Sequence, residues 1–217
     1  MSLLDDITAR GAEIRTRLRE FLERHEYTTD TRTVLVIAAI DTALEYHKAI
    51  WLLHERKLDG SAIAMLRLVF EAMFRALWLN AVASDEQVEQ AAEDKLDWLR
   101  IKVRDDIKRV YFGTPKNPVK VEILEELFKS LAKVWKALNS YTHSGALQLT
   151  RRFTFDEVKR NYTEHELARA LSAATAILLL CSVLLLKTMG AHQEADDTVA
   201  MRDQYHADFD DRLKKGQ

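Results

Sequence analysis

An all-α fold is predicted by three features of this sequence. Glycine and proline are scarce, at six and two in 217 residues, whereas loop-rich and all-β chains of this length use many more. Three Ser/Thr-x-x-Glu/Gln motifs, at Ser84/Gln87, Thr154/Glu157 and Thr163/Glu166, have the spacing of capping boxes, in which the two side chains satisfy the free N–H groups that open a helix. Between these signals run long stretches of apolar residues that recur at helical spacing or fill every side of a helix. With 47% hydrophobic residues the chain can bury a substantial core. No internal repeat or low-complexity linker interrupts it, so one helical domain over residues 1–217 is expected, a bundle of about six to seven helices.

The elements follow in order. A first amphipathic helix is predicted from about Leu3 to Glu26, with alternating charges on its outer face. A second runs from about Asp30 to Arg56 and opens on the apolar block Val34 to Ile40. Asp59 is expected to cap a third helix from about Ser61 to Ala83, and Ser84 to start a fourth, more polar one that reaches about Val110. Gly113, Pro115 and Pro118 mark a loop, and Asn117 with Pro118 at the first helical position opens a fifth helix to about Asn139. Thr154 with Glu157 predicts a short turn of helix, and Thr163 with Glu166 a long apolar helix ending at Gly190, followed by an acidic helix over about 193–215.

Charge and cysteine use narrow the function classes. Lys+Arg 32 against Asp+Glu 34 gives a net charge of -2, which excludes a globally cationic nucleic-acid coat. A local concentration stands out: from Lys95 to Lys120 eight basic residues face three acidic ones, net +5, to be read either as a solvated helix face or as a basic patch. The single cysteine, Cys181, lies in an apolar run and fits a reducing, cytoplasmic setting. The acidic start Met1 to Asp6 predicts no cleaved leader. The uncharged run Ala170 to Leu186 is at the lower limit for crossing a bilayer. Ser172, Thr175 and Ser182 dilute it and no aromatic belt flanks it, so a buried central or dimer-interface helix is expected, with no membrane partner.

Few residues carry chemistry. On the third helix Arg67, Glu71 and Arg75 stand at i, i+4 and i+8 in an otherwise apolar surround, either a structural ion-pair ladder or an inward polar cluster that serves a site. Asn139 and His143 stand one turn apart where a helix stops at Ser144-Gly145. Asn139 is placed to orient the imidazole, and His143 to act as general acid or base in attack of a ribose 2′-hydroxyl on its own phosphodiester. A histidine at a helix C-terminus also simply complements the helix dipole. Arg151 and Arg152, followed by Phe153 and Phe155, interleave cations with aromatics as surfaces for single-stranded nucleic acid do. The alternative is an extended segment whose rings tuck into the core. His47 and His54 share a face across Trp51 and read as a polar pair at a helix interface. No Gly-rich phosphate loop, G-x-S-x-G elbow, H-E-x-x-H or paired Glu-x-x-His unit is present, so neither a cofactor nor a metal is expected.

The segments Leu66-Arg67-Leu68-Val69-Phe70-Glu71 and Tyr141-Thr142-His143-Ser144-Gly145, with Asn139 before the second, resemble bacterial HEPN-like helical proteins, including relatives of abortive-infection proteins. The resemblance covers about residues 30–190, and in the signature R-N-x-x-x-H only Asn139 and His143 match, because Leu138 stands at the arginine position. It implies a HEPN-like bundle, a homodimer, and either RNA binding or a degenerate metal-independent ribonuclease of a toxin–antitoxin or phage-defence system. The catalytic set expected is His143 and Asn139, which match the signature, with Arg67 of the third helix brought in to replace the missing charge and Glu71 beside it as part of the same polar site. A non-enzymatic helical module for dimerisation or for binding a partner protein is the alternative.

Overall fold

The computed structural model describes residues 2–24, 26–112, 128, 135, 137–143, 145–154, 157–158 and 161–214. Its elements are α1 (Leu3–Arg24), α2 (Thr31–Glu55), α3 (Asp59–Ala81), α4 (Asp85–Ala92), α5 (Val103–Phe112), a helical stretch at 137–142, α6 (Ala146–Thr150), α7 (Glu164–Thr188) and α8 (His192–Lys214). Among the described residues this makes eight bounded helices and one further stretch, where six to seven were expected. The only strands described are β1 (Phe153–Thr154) and β2 (Glu157–Val158), one antiparallel pair.

The core forms around α7. Its residues from Ile177 to Leu186 are all buried, because α1, α2, α3 and α8 each pack against it, and a helix apolar on every side must be surrounded. It is long and apolar enough to cross a membrane, yet 78% of its apolar window lies inside the protein. α2 and α3, joined by a short turn, pack against each other most extensively. The junction of α1, α2 and α7 is closed at Gly11, where an added Cβ would lie 2.6 Å from the Trp51 ring and 3.1 Å from Thr175 Oγ1.

Several expected boundaries hold for the expected reason. Ser84 and Gln87 form a reciprocal capping box at α4, and Thr163 and Glu166 another at α7. Asp30 caps α2 through a 3.0 Å bond from the Thr33 N–H. Three expectations are corrected. Leu58, not Asp59, is the N-cap of α3; Asp59 sits in the first turn, fully buried, with its carboxylate 2.8 Å from His54 Nδ1, and that competing partner explains why it does not cap. The expected fourth helix stops at Ala92, Asp94 takes φ 55, and the chain is non-helical until Val103. Tertiary packing overrides local preference there: Leu96, Trp98 and Ile101 turn onto the core, and such irregular spacing no helix could satisfy. Thr154 and Glu157 do not cap a helix; they face each other across the β1–β2 pair, and no apolar helical run follows Glu157 to reward a cap.

The loop at Gly113, Pro115 and Pro118 lies outside the described residues. So does most of the expected fifth helix, of which Phe128, Trp135 and 137–139 are described and helical.

Candidate functional site

The charged stripe of α3 divides into a pair and a single cation. Arg67 Nε donates to Glu71 Oε1 at 2.7 Å, both side chains being largely but not wholly covered. This pair satisfies Glu71 and leaves the outer nitrogens of the guanidinium for another partner. That partner is His143, whose Nε2 lies 2.7 Å from Arg67 Nη1 although 76 residues separate them in the chain. A guanidinium can only donate, so Nε2 is the acceptor and the ring proton sits on Nδ1. Arg75, two turns along α3, makes no ion pair among the described residues; its guanidinium lies 4.8 Å from the centre of the Trp98 ring.

The histidine is delivered by the stretch 137–142. His143 N–H bonds back to the Asn139 carbonyl at 3.0 Å, and the chain then reverses sharply. Gly145 makes this reversal possible, since a Cβ there would stand 3.0 Å from the backbone Cα of Ser140. Leu138 is buried in the core at 5% exposure. Leu138 thus contributes apolar packing and no charge, and the cation beside the ring is Arg67. Asn139 lines the same cleft, but its Oδ1 is buried without a hydrogen-bond partner and no bond between its side chain and the imidazole is present among the described residues.

Around the Arg67–His143 contact opens a cleft of about 600 Å³, bounded by α3, the segment before α5, the start of α5 and the 135–143 region. Two guanidiniums lie near the Trp135 ring, Arg67 at 5.6 Å and Arg104 at 4.4 Å from its centre. Trp98 meets the buried Trp78 ring edge-to-face at 5.6 Å. Arg75, Lys102 and Arg104 line the cleft, and none of them makes an ion pair among the described residues, whereas Lys95, Arg100 and Arg109 of the same basic run are matched to Glu93, Asp97 and Asp106. Among the described residues the run thus has a neutralised part and a part, Lys102 and Arg104, that with Arg75 outnumbers Asp105, the carboxylate lining the cleft without an ion pair there, and leaves the cleft positive.

The other residues read from the sequence lie elsewhere. Arg151 bonds to Glu166 and, at 3.2 Å, to the Asn161 carbonyl, which fastens the start of α7. Arg152 is exposed, with its guanidinium near Gly60 at the opposite end of α3 from Arg75. Neither lines the cleft. His47 is fully buried: it accepts from Trp51 Nε1 at 3.2 Å on Nδ1, and Nε2 lies 3.0 Å from Thr175 Oγ1. Burial, with the Arg15 charge as a second cause, pushes its pKa down to about 3, which makes it a neutral structural bridge. Burial pushes the Cys181 thiol up, so it is an inert core residue. Among the described residues no group of three or more His, Cys, Asp or Glu could hold a metal ion.

Trp98, Lys102, Arg104 and Trp135 were not singled out as site residues from the sequence. The basic run contained two of them, but which cations stay unmatched depends on neighbours that only the fold supplies.

These features describe a helical bundle that presents one basic, tryptophan-lined cleft with a histidine at its edge. The chain belongs to DUF6988, a family of unknown function, which it matches over residues 40–214. No curated protein and no solved structure matches it.

Proposed function

We propose that this is a HEPN-like RNA-binding protein of the cytoplasm, acting as a homodimer within a toxin–antitoxin or phage-defence system, with the Arg67–His143 cleft as its RNA site. One observation supports this above the others: Arg67 reaches His143 at 2.7 Å in a cleft whose remaining cations, Arg75, Lys102 and Arg104, make no ion pair among the described residues. Unmatched cations beside indole rings suit a phosphate chain that carries flat bases.

Cleavage would need three things of the site. A base must take the 2′-hydroxyl proton, a cation must meet the charge on the five-coordinate phosphorus, and an acid must protonate the departing 5′-oxygen. His143 Nε2 has the lone pair for the first task and Arg67 the charge for the second. In the resting arrangement, however, the Arg67 N–H occupies that lone pair. A phosphate arriving at Arg67 must draw the guanidinium away before His143 can act. The reading is therefore binding first, with metal-independent cleavage as a degenerate activity.

The test is fluorescence anisotropy with a labelled single-stranded RNA. Arg67→Ala is expected to weaken binding about tenfold, as loss of a charge-assisted phosphate contact does, and His143→Ala to weaken it less. Any cleavage should persist in EDTA and vanish on RNA with a 2′-deoxy linkage at the cut. Unchanged binding in both variants would remove the cleft as the RNA site. The second reading, a non-enzymatic interaction module, has Leu99 in its favour, an apolar side chain 99% exposed at the cleft rim.

A further inference from the structure

The four tryptophans of the chain fall into two classes. Trp51 and Trp78 are buried in the core, whereas Trp98 and Trp135 are only half-buried and both line the cleft. Indole surface left facing solvent is costly, and a bundle with this much apolar material could cover it. The non-helical segment between α4 and α5 instead carries Trp98 out to the cleft while its neighbour Leu99 is wholly exposed. Trp98 is anchored, not loose: its ring meets Trp78, and Trp78 Nε1 is in turn held by Asp106 of α5 at 3.3 Å. Each cleft indole also carries a guanidinium that has no carboxylate among the described residues, Arg75 on Trp98 and Arg104 on Trp135.

We infer that Trp98 and Arg75 form a base-stacking subsite of the cleft, in which a base of single-stranded RNA lies against the indole while its phosphate chain continues to Arg67 and His143. This rests on the RNA-binding reading and adds to it where the base goes. The geometry suits an extended ligand. Arg67 and Arg75 are eight residues apart on α3, ~12 Å at the helical rise, and each guanidinium already lies at a different indole, Arg67 at Trp135 and Arg75 at Trp98. A base entering at Trp98 keeps what Arg75 already has there, because a guanidinium stacks on a base as readily as on an indole. Base stacking tolerates any sequence, and it requires an unpaired strand, since duplex bases offer no free face.

The experiment compares two labelled oligonucleotides of equal length on the intact chain, a mixed-sequence single-stranded RNA and the same backbone without bases, for wild type, Trp98→Ala and Trp98→Phe. Wild type should bind the intact RNA about tenfold more tightly than the abasic strand. Trp98→Ala should bring the two together, and Trp98→Phe should restore most of the difference. Equal binding of both strands by wild type overturns the subsite and leaves phosphate binding at Arg67 standing. Binding of neither strand overturns the RNA reading and this inference with it. A Trp98→Ala that keeps the full preference overturns the subsite, and should that variant fail to fold, Trp98→Leu takes its place with the same two outcomes.

Discussion

At the scale of single residues, the two histidines that matter are set apart by what surrounds them. His143 is exposed and its Nε2 is capped by one arginine. His47 is enclosed by Trp51 and Thr175, with its neutral form fixed by an indole N–H on one nitrogen and a hydroxyl on the other. Folding therefore lowers the His47 pKa to about 3 from the ~6.5 it regains when unfolded. Between those values the unfolded chain binds the extra proton, so stability rises with pH across this window. The contribution is complete above pH ~6.5 and is lost as the pH falls, by at most about 1.4 kcal/mol per unit. Urea midpoints measured between pH 7 and pH 4.5 should show this slope, and His47→Gln should flatten it relative to wild type even where it lowers stability at pH 7. Parallel slopes in the two proteins would contradict the buried, neutral bridge. Sequence periodicity placed His47 and His54 on a shared face, and it did not foresee that they serve different ends. His54 finds its carboxylate in Asp59, five residues on, while His47 finds Thr175 on α7, 128 residues away.

At the scale of elements, α1 approaches α2 and α7 closely only because position 11 has no side chain. An alanine there gains up to ~1 kcal/mol in helix propensity, but its Cβ would press on the Trp51 ring at 2.6 Å and on Thr175 Oγ1 at 3.1 Å. Trp51 is buried and held by its bond to His47, so it has little room to yield. Overpacking of this kind costs about 1–3 kcal/mol, and the net effect of Gly11→Ala should be a loss of roughly 1 kcal/mol or more, read as a lower urea midpoint with an unchanged m-value. A stabilised variant would mean that the junction is looser than its distances state. Which elements were legible follows from the range of the forces that set them. The boxes at Ser84 and Thr163 act within four residues and were read correctly. The break after Ala92 depends on Trp98 meeting Trp78, twenty positions back, and no local pattern encodes that. The Thr154/Glu157 motif shows the converse: a cap-like spacing with no helix behind it became the end of a strand pair.

At the scale of the whole molecule, the proposed RNA binding requires a chain of net charge -2 to attract a polyanion with one face and repel it elsewhere. The segregation is visible in the fold. Seven carboxylates from Glu194 to Asp211 lie on α8, while Arg75, Lys102 and Arg104, which make no ion pair among the described residues, gather at the cleft with Arg67. The sequence displayed both runs but not their consequence, because matching Lys95, Arg100 and Arg109 to nearby carboxylates removes three of the eight cations of the apparent patch. On the proposed RNA-binding reading the charge that counts is therefore about three or four contacts, far fewer than the basic run suggests. For a single strand each phosphate contact contributes about -0.7 to the slope of log affinity against log salt, which gives a slope of roughly -2 to -3. Between 50 and 200 mM salt the affinity of wild type should drop on the order of twentyfold or somewhat more. Arg104→Gln should make the slope shallower by about 0.7, whereas Arg109→Gln, already paired with Asp106 at 2.8 Å, should leave it unchanged. A wild-type slope near zero would mean that phosphates do not occupy the cleft, and equal effects of the two variants would place the binding charge along α5 as a whole instead of at the cleft mouth.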